Sequence, residues 1–106
     1  MDMKVQMTID GGFAYLPGLQ RPTTIDTNDL SDDVAEKLIS LVNAADFFDL
    51  PERVGSVKNG AADHLVYTIT VRVKNKEHTI KVNDPIERDD LAELVSYLRL
   101  LRQTEG

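Results

Sequence analysis

A chain of 106 residues with 42% hydrophobic residues can build one modest core, which excludes both a disordered chain and a multidomain one. It has no cysteine, so disulfide staples, thiolate metal sites and cysteine nucleophiles are excluded. A formal charge of −6 weighs against nucleic acid or an anionic membrane as the main partner, because phosphate binding rests on Lys and Arg.

The expected elements form a ββα pattern that occurs twice. Lys4–Asp10 reads as a strand, with Val5, Met7 and Ile9 alternating against Lys4, Gln6 and Thr8. Gly11-Gly12 ends it as a tight turn. Phe13–Thr27 reads as a second, irregular strand: Pro17-Gly18 and Pro22 interrupt it, and Thr23-Thr24-Ile25-Asp26 completes it. Ser31 is placed to cap a helix over Asp32–Phe47, with Asp32 and Asp33 in the first turn, where acids favour the positive end of the helix dipole. Val34, Leu38, Leu41, Val42 and Ala45 make its buried stripe. Phe47 or Phe48 is expected to plug the end of the core, and Pro51 disfavours helix at the residue before it.

Glu52–His64 has no periodicity and reads as a long connection. Leu65–Lys74 and Glu77–Asn83 then form a hairpin about an Asn75-Lys76 turn. Tyr67, Ile69, Val71, Val73, His78, Ile80 and Val82 face inward in that register. In that position His78 is expected to be hydrogen-bonded at a core edge. The last helix is expected over Pro85–Gln103, started by Asp84-Pro85-Ile86-Glu87 and striped by Leu91, Leu94, Val95, Leu98 and Leu101. The economical architecture is α+β: a four-stranded, mainly antiparallel sheet with both helices on one face. Lys4, Gln6, Thr8, Thr68, Thr70, Arg72, Lys74, Thr79 and Lys81 would line the other, wet face. The residues leave the strand order open.

Chemistry is sparse. Two histidines, His64 and His78, cannot supply a zinc site, and the helical two-histidine protease pattern is missing. No Ser or Thr has an evident base and orienting group beside it, and Gly11-Gly12 stands alone without a phosphate-loop or dinucleotide fingerprint. The acids at Asp26, Asp29, Asp32 and Asp33 lack calcium-loop spacing. No cofactor and no enzymatic activity are therefore expected. The apolar runs fall far short of the ~20 residues of a membrane-spanning helix, and Met1–Val5 lacks the features of a signal peptide, so a soluble, cytoplasmic protein is expected. Charge is uneven: residues 26–52 carry eight acids against Lys37, and residues 53–83 carry six bases against Asp63 and Glu77.

Gly11-Gly12-Phe13-Ala14, Thr24-Ile25-Asp26-Thr27 and Ala44–Pro51 (AADFFDLP) occur in order along the chain. Asp63–Val71 (DHLVYTITV), His78–Asp84 (HTIKVND) and the final Leu-rich helix follow. Together this set resembles the emfourin family of bacterial proteins over nearly the whole chain. The resemblance implies a cytoplasmic proteinaceous inhibitor of thermolysin-like zinc metalloproteases, notably protealysin-type enzymes encoded nearby. It assigns no contact residues.

Those enzymes resemble one another in favouring bulky apolar groups beside the scissile bond. Phe13, Tyr15 or Leu16 is the candidate anchor, on a turn whose Gly11 and Gly12 permit close backbone approach. Asp10 is a candidate carboxylate for the enzyme's zinc, and His64 a candidate contact in the alternative Glu52–His64 region. The competing reading makes Phe13 and Tyr15 core residues and Asp10 a turn residue. Two other functions compete: a non-inhibitory interaction or homo-oligomerisation domain paired through sheet edges, and a small-molecule or ion-binding domain using Asp26–Asp33.

Overall fold

The computed structural model describes residues 2–11, 23–54, 65–83 and 86–104. In chain order the elements are β1 (Met3–Gly11), β2 (Thr23–Asp26), α1 (Asp32–Ala44), β3 (Arg53–Val54), β4 (Leu65–Val73), β5 (Lys76–Asn83) and α2 (Asp89–Thr104). Single 3₁₀ turns lie at Thr27–Asp29 and Phe47–Asp49. The strands form a five-stranded mixed sheet in the order β2-β1-β4-β5-β3. The α+β class and the two helices agree with the sequence reading, whereas the four-stranded sheet does not.

The fifth strand comes from the expected connection. Arg53 and Val54 run parallel to β5, opposite Lys81 and Val82, and the Glu52 carbonyl accepts the Lys81 N–H at 2.7 Å. Pro51 favours extended backbone at the residue before it, and Leu50 is extended (ψ 147°). Val54 packs against the core, so two residues suffice to close that edge. At the other edge β2 spans only Thr23–Asp26, antiparallel to Lys4–Met7. The expected stretch from Phe13 to Pro22 lies outside the described residues.

The central hairpin keeps the expected faces. Cross-strand rows Val5–Val71–His78, Met7–Ile69–Ile80 and Ile9–Tyr67–Val82 face the helices. Leu38, Val42 and Ala45 from α1 and Leu91, Leu94, Val95, Leu98 and Leu101 from α2 pack on them in one cluster. On the opposite face Lys4, Gln6, Arg72, Thr79 and Lys81 are exposed. The turn sits one residue earlier than expected, at Lys74-Asn75, with Lys74 in the left-handed region (φ 53°).

Helix boundaries shift for local reasons. α1 stops at Ala44 because Asp46 adopts a left-handed conformation (φ 50°, ψ 47°), which Asp tolerates better than most residues. That reversal sends Phe47, 1% exposed, into the core as the expected plug. Ser31 occupies the N-cap position, but its side chain makes no capping hydrogen bond; its carbonyl accepts the Ala35 N–H at 2.9 Å. α2 begins at Asp89 rather than Pro85, and Ile86–Arg88 are non-helical. The Arg88 carbonyl takes the first helical bond, from the Ala92 N–H at 2.9 Å. The expected Asp84-Pro85 start lies outside the described residues.

Candidate functional site

The candidate site begins where β1 ends. Nine successive β1 residues pair with β4, and the last two pairs are Asp10 with Val66 and Gly11 with Leu65. Gly11 therefore continues the ladder instead of starting a turn, and Asp10 is a strand residue rather than a turn residue. The expected strand end moves one position along the chain because β4 supplies partners as far back as Leu65. Gly12, Phe13, Tyr15, Leu16 and His64 lie outside the described residues.

The pairing still has a direct consequence. Gly11 precedes segment 12–22 and Leu65 follows segment 55–64 in the sequence, and these two residues are direct cross-strand partners. The described residues that border the two stretches offered by the sequence as alternative contact regions are thus side by side. Cross-strand partners sit about 5 Å apart at Cα, so the two anchors share one point at one end of the sheet. Asn83, the last residue of β5, pairs with Val66 and brings a third strand end to the same side. Local sequence signals gave no warning of this, because strand order is a non-local property.

The second anchor of segment 55–64 is its approach through β3. His78, in the inward register, is half-buried, and its Nε2–H donates to the Leu50 carbonyl at 2.6 Å. Its ring meets Phe47 edge-on, with centroids 5.8 Å apart at 80°, and Phe47 meets Phe48 in the same manner at 5.9 Å. The expectation of a hydrogen-bonded histidine at a core edge holds. This contact fixes the chain just before β3 against β5, where Val54 pairs with Val82.

Among the described residues no three His, Asp or Glu side chains stand close enough to hold a metal ion. Their clefts are shallow and polar. One of about 260 Å³ is lined by Lys4, Arg72 and Lys74 with Asp2, Asp26 and Asn28. Another of about 300 Å³ lies between Glu52, Arg53, Thr79 and Lys81.

Among the described residues one carboxyl is shifted. A hydrogen bond from the Arg88 guanidinium holds Asp90 below the ordinary carboxylate range, against the opposing effect of burial. The same Arg88 forms an ion pair with Asp90 at 2.9 Å and reaches the Ala45 carbonyl at 3.4 Å, which ties the start of α2 to the end of α1. These contacts are structural. No described helix is long and apolar enough to cross a membrane.

Comparisons with known proteins bear on this arrangement. The sequence pattern that defines the family described as Emfourin matches residues 7–99. A comparison with curated proteins finds no match. Among solved structures the chain is similar to emfourin (M4in) from Serratia proteamaculans, described as an M4 family peptidase inhibitor. The two share 18% identity with a TM-score of 0.46, over 88% of this chain and 85% of that one.

Proposed function

The chain belongs to the Emfourin family, and on that premise we propose that it inhibits a bacterial thermolysin-like zinc metalloprotease by covering the active-site cleft with one end of its sheet. The family is one of inhibitors and not of enzymes. The observation that supports the reading is the pairing of Gly11 with Leu65, the described residues that border the two candidate contact segments.

An inhibitor of a protease must present chain to the cleft without being cut, and this needs support that survives binding. A ladder nine residues long between β1 and β4, backed by a single buried cluster, supplies it. In this reading Phe13, Tyr15 and Leu16 provide the apolar anchor, and Gly11 and Gly12 let the backbone approach closely. Asp10 is the carboxylate nearest the enzyme's zinc, and His64 borders the contact from the neighbouring segment. The protein acts in the cytoplasm on a protease made in the same cell.

The test is a Gly11→Glu/Gly12→Glu variant assayed against a thermolysin-like protease alongside the wild-type chain. The expected result is at least a tenfold loss of inhibition, with the melting temperature lowered by only a few degrees. Undiminished inhibition by a folded variant rejects this contact and moves it elsewhere on the molecule.

A further inference from the structure

A cation on α2 is held beside the end of the sheet that carries Gly11 and Leu65. Tyr67 lies two residues along β4 from Leu65, about 7 Å, and faces the helices in the row Ile9–Tyr67–Val82. Its side chain is buried, and its hydroxyl accepts a hydrogen bond from Arg99 Nη1 at 3.3 Å. A buried phenol needs such a partner, and the partner here is itself exposed.

Helical spacing shows which flank of α2 carries Arg99. Successive residues lie about 100° apart, and Leu98 faces the core, so Tyr97 and Arg99 stand on opposite flanks. Lys37 Nζ of α1 lies over the Tyr97 ring, 5.6 Å from its centroid, so the Arg99 flank faces away from α1. α1 begins at the Met3 end of the sheet, where Asp32, Ala35 and Glu36 share a cleft with Asp2 and Thr27. The Arg99 flank therefore faces the Gly11 end. Ala92 and Ser96, on the same flank, are small and uncharged, so neither competes for the guanidinium. Among the described residues the one ion pair is Arg88 with Asp90, and no carboxylate of this chain meets Arg99.

We infer that Arg99 is a contact residue of the proposed inhibitory end, positioned by the Tyr67 hydroxyl to pair with a carboxylate on the rim of the protease cleft. The inference rests on the inhibitory reading and names a specificity contact within it. A standard interface buries about 800 Å² of each partner, a disc of roughly 16 Å radius. Arg99 stands about 7 Å along the strand from Leu65 and one packed layer, about 10 Å, to its side. That places it about 12 Å from the centre of the contact, inside the disc and toward its rim.

The chemistry of the partner group follows from the guanidinium. Its planar fork matches the two oxygens of a carboxylate, and the phenol holds only one of its five N–H donors. The chain as a whole carries −6, so an acidic rim is repelled by most of its surface. A fixed cation at the contact end directs such a rim to that end. An exposed charge of this kind acts mainly on the association rate and its salt dependence, whereas a role confined to satisfying Tyr67 acts on stability alone.

The test measures the association rate and inhibition constant of the full chain with a thermolysin-like metalloprotease, at low and high salt, with circular dichroism and melting temperature for each variant. Arg99→Glu should associate at least tenfold more slowly at low salt, and its rate should depend on salt less than that of the wild type. Arg99→Gln, which adds no opposing charge, should lose about threefold. Tyr67→Phe keeps the ring and releases the guanidinium; it should weaken inhibition by itself and cause no further loss in the Arg99→Gln background. A lowered melting temperature with unchanged association and salt dependence in Arg99→Glu leaves Arg99 a partner of Tyr67 only and overturns the inference. Equal losses from Tyr67→Phe with and without Arg99→Gln overturn it too. A wild-type chain that does not inhibit at all rejects the inhibitory reading itself, and the inference with it.

Discussion

Replacing His78 with leucine should weaken the hold on the chain leading into β3, and the size of the effect follows from its contacts. The side chain supplies the N–H that satisfies the Leu50 carbonyl at 2.6 Å, in a half-buried setting. Leaving a buried acceptor unsatisfied costs about 1–3 kcal/mol. The edge-on contact with Phe47 adds about 0.5–1.5 kcal/mol. Leucine returns part of this through apolar contact, because its volume is similar and no large cavity opens. The expected net loss is about 2 kcal/mol, a sizeable share of the roughly 5–15 kcal/mol that holds a domain together.

Urea unfolding followed by circular dichroism should show the midpoint falling by about 1–2 M with an unchanged slope. His78→Gln keeps a donor and should recover roughly half of the loss. Hydrogen exchange should localise the damage, since the Lys81 amide, bonded to the Glu52 carbonyl at 2.7 Å, loses protection before the β1–β4 ladder does. A loss under about 0.5 kcal/mol, or glutamine behaving no better than leucine, would refute the reasoning.

The other expected outcomes are smaller or more local. Lys74 pays for a left-handed backbone (φ 53°) that glycine adopts freely, so Lys74→Gly should raise stability by about 1 kcal/mol, read as a higher melting temperature. No change would mean that the turn rearranges. The folded-state pKa of Asp90 is depressed by Arg88, so the pair's contribution is present above the unfolded value of about 3.9 and lost as pH falls through the lower folded value. Because both side chains are partly exposed, the contribution is under about 1 kcal/mol. Arg88→Gln should therefore be slightly less stable than wild type at pH 6 and should converge on it as the pH falls through the lowered folded-state value; a gap that widens on acidification contradicts the assignment.

The amphipathic elements were legible because their signal is periodic. The stripes of Leu38 and Val42 and of Leu91, Leu94, Val95 and Leu98 point to the core as the spacing requires. The same holds for the alternation through Tyr67, Ile69 and Val71, and for His78 in its inward register. What the sequence concealed has no period to read. β3 is two residues long and takes its identity from the Glu52 carbonyl and from Val54 beside Val82, both contacts with a distant strand. The end of α1 is decided by one left-handed aspartate, Asp46, where the residue types alone carry helical spacing onward to Phe47.

For the candidate site the division is the same. Gly11 and the stretch preceding His64 stand out in the sequence as separate alternatives, and the choice between them presumes they are far apart. The β1–β4 register, a pairing of residues more than fifty positions apart, makes Gly11 and Leu65, the residue after His64, neighbours at one end of the sheet. No local residue pattern encodes that pairing; it follows from burying the apolar faces of five strands under two helices at once.

The central claim is tested most directly by titrating a purified thermolysin-like metalloprotease with the purified chain and following peptide hydrolysis. Activity should fall linearly to near zero at one chain per enzyme, with the chain recovered uncut. Activity that persists at a large molar excess of intact, folded chain would contradict the account.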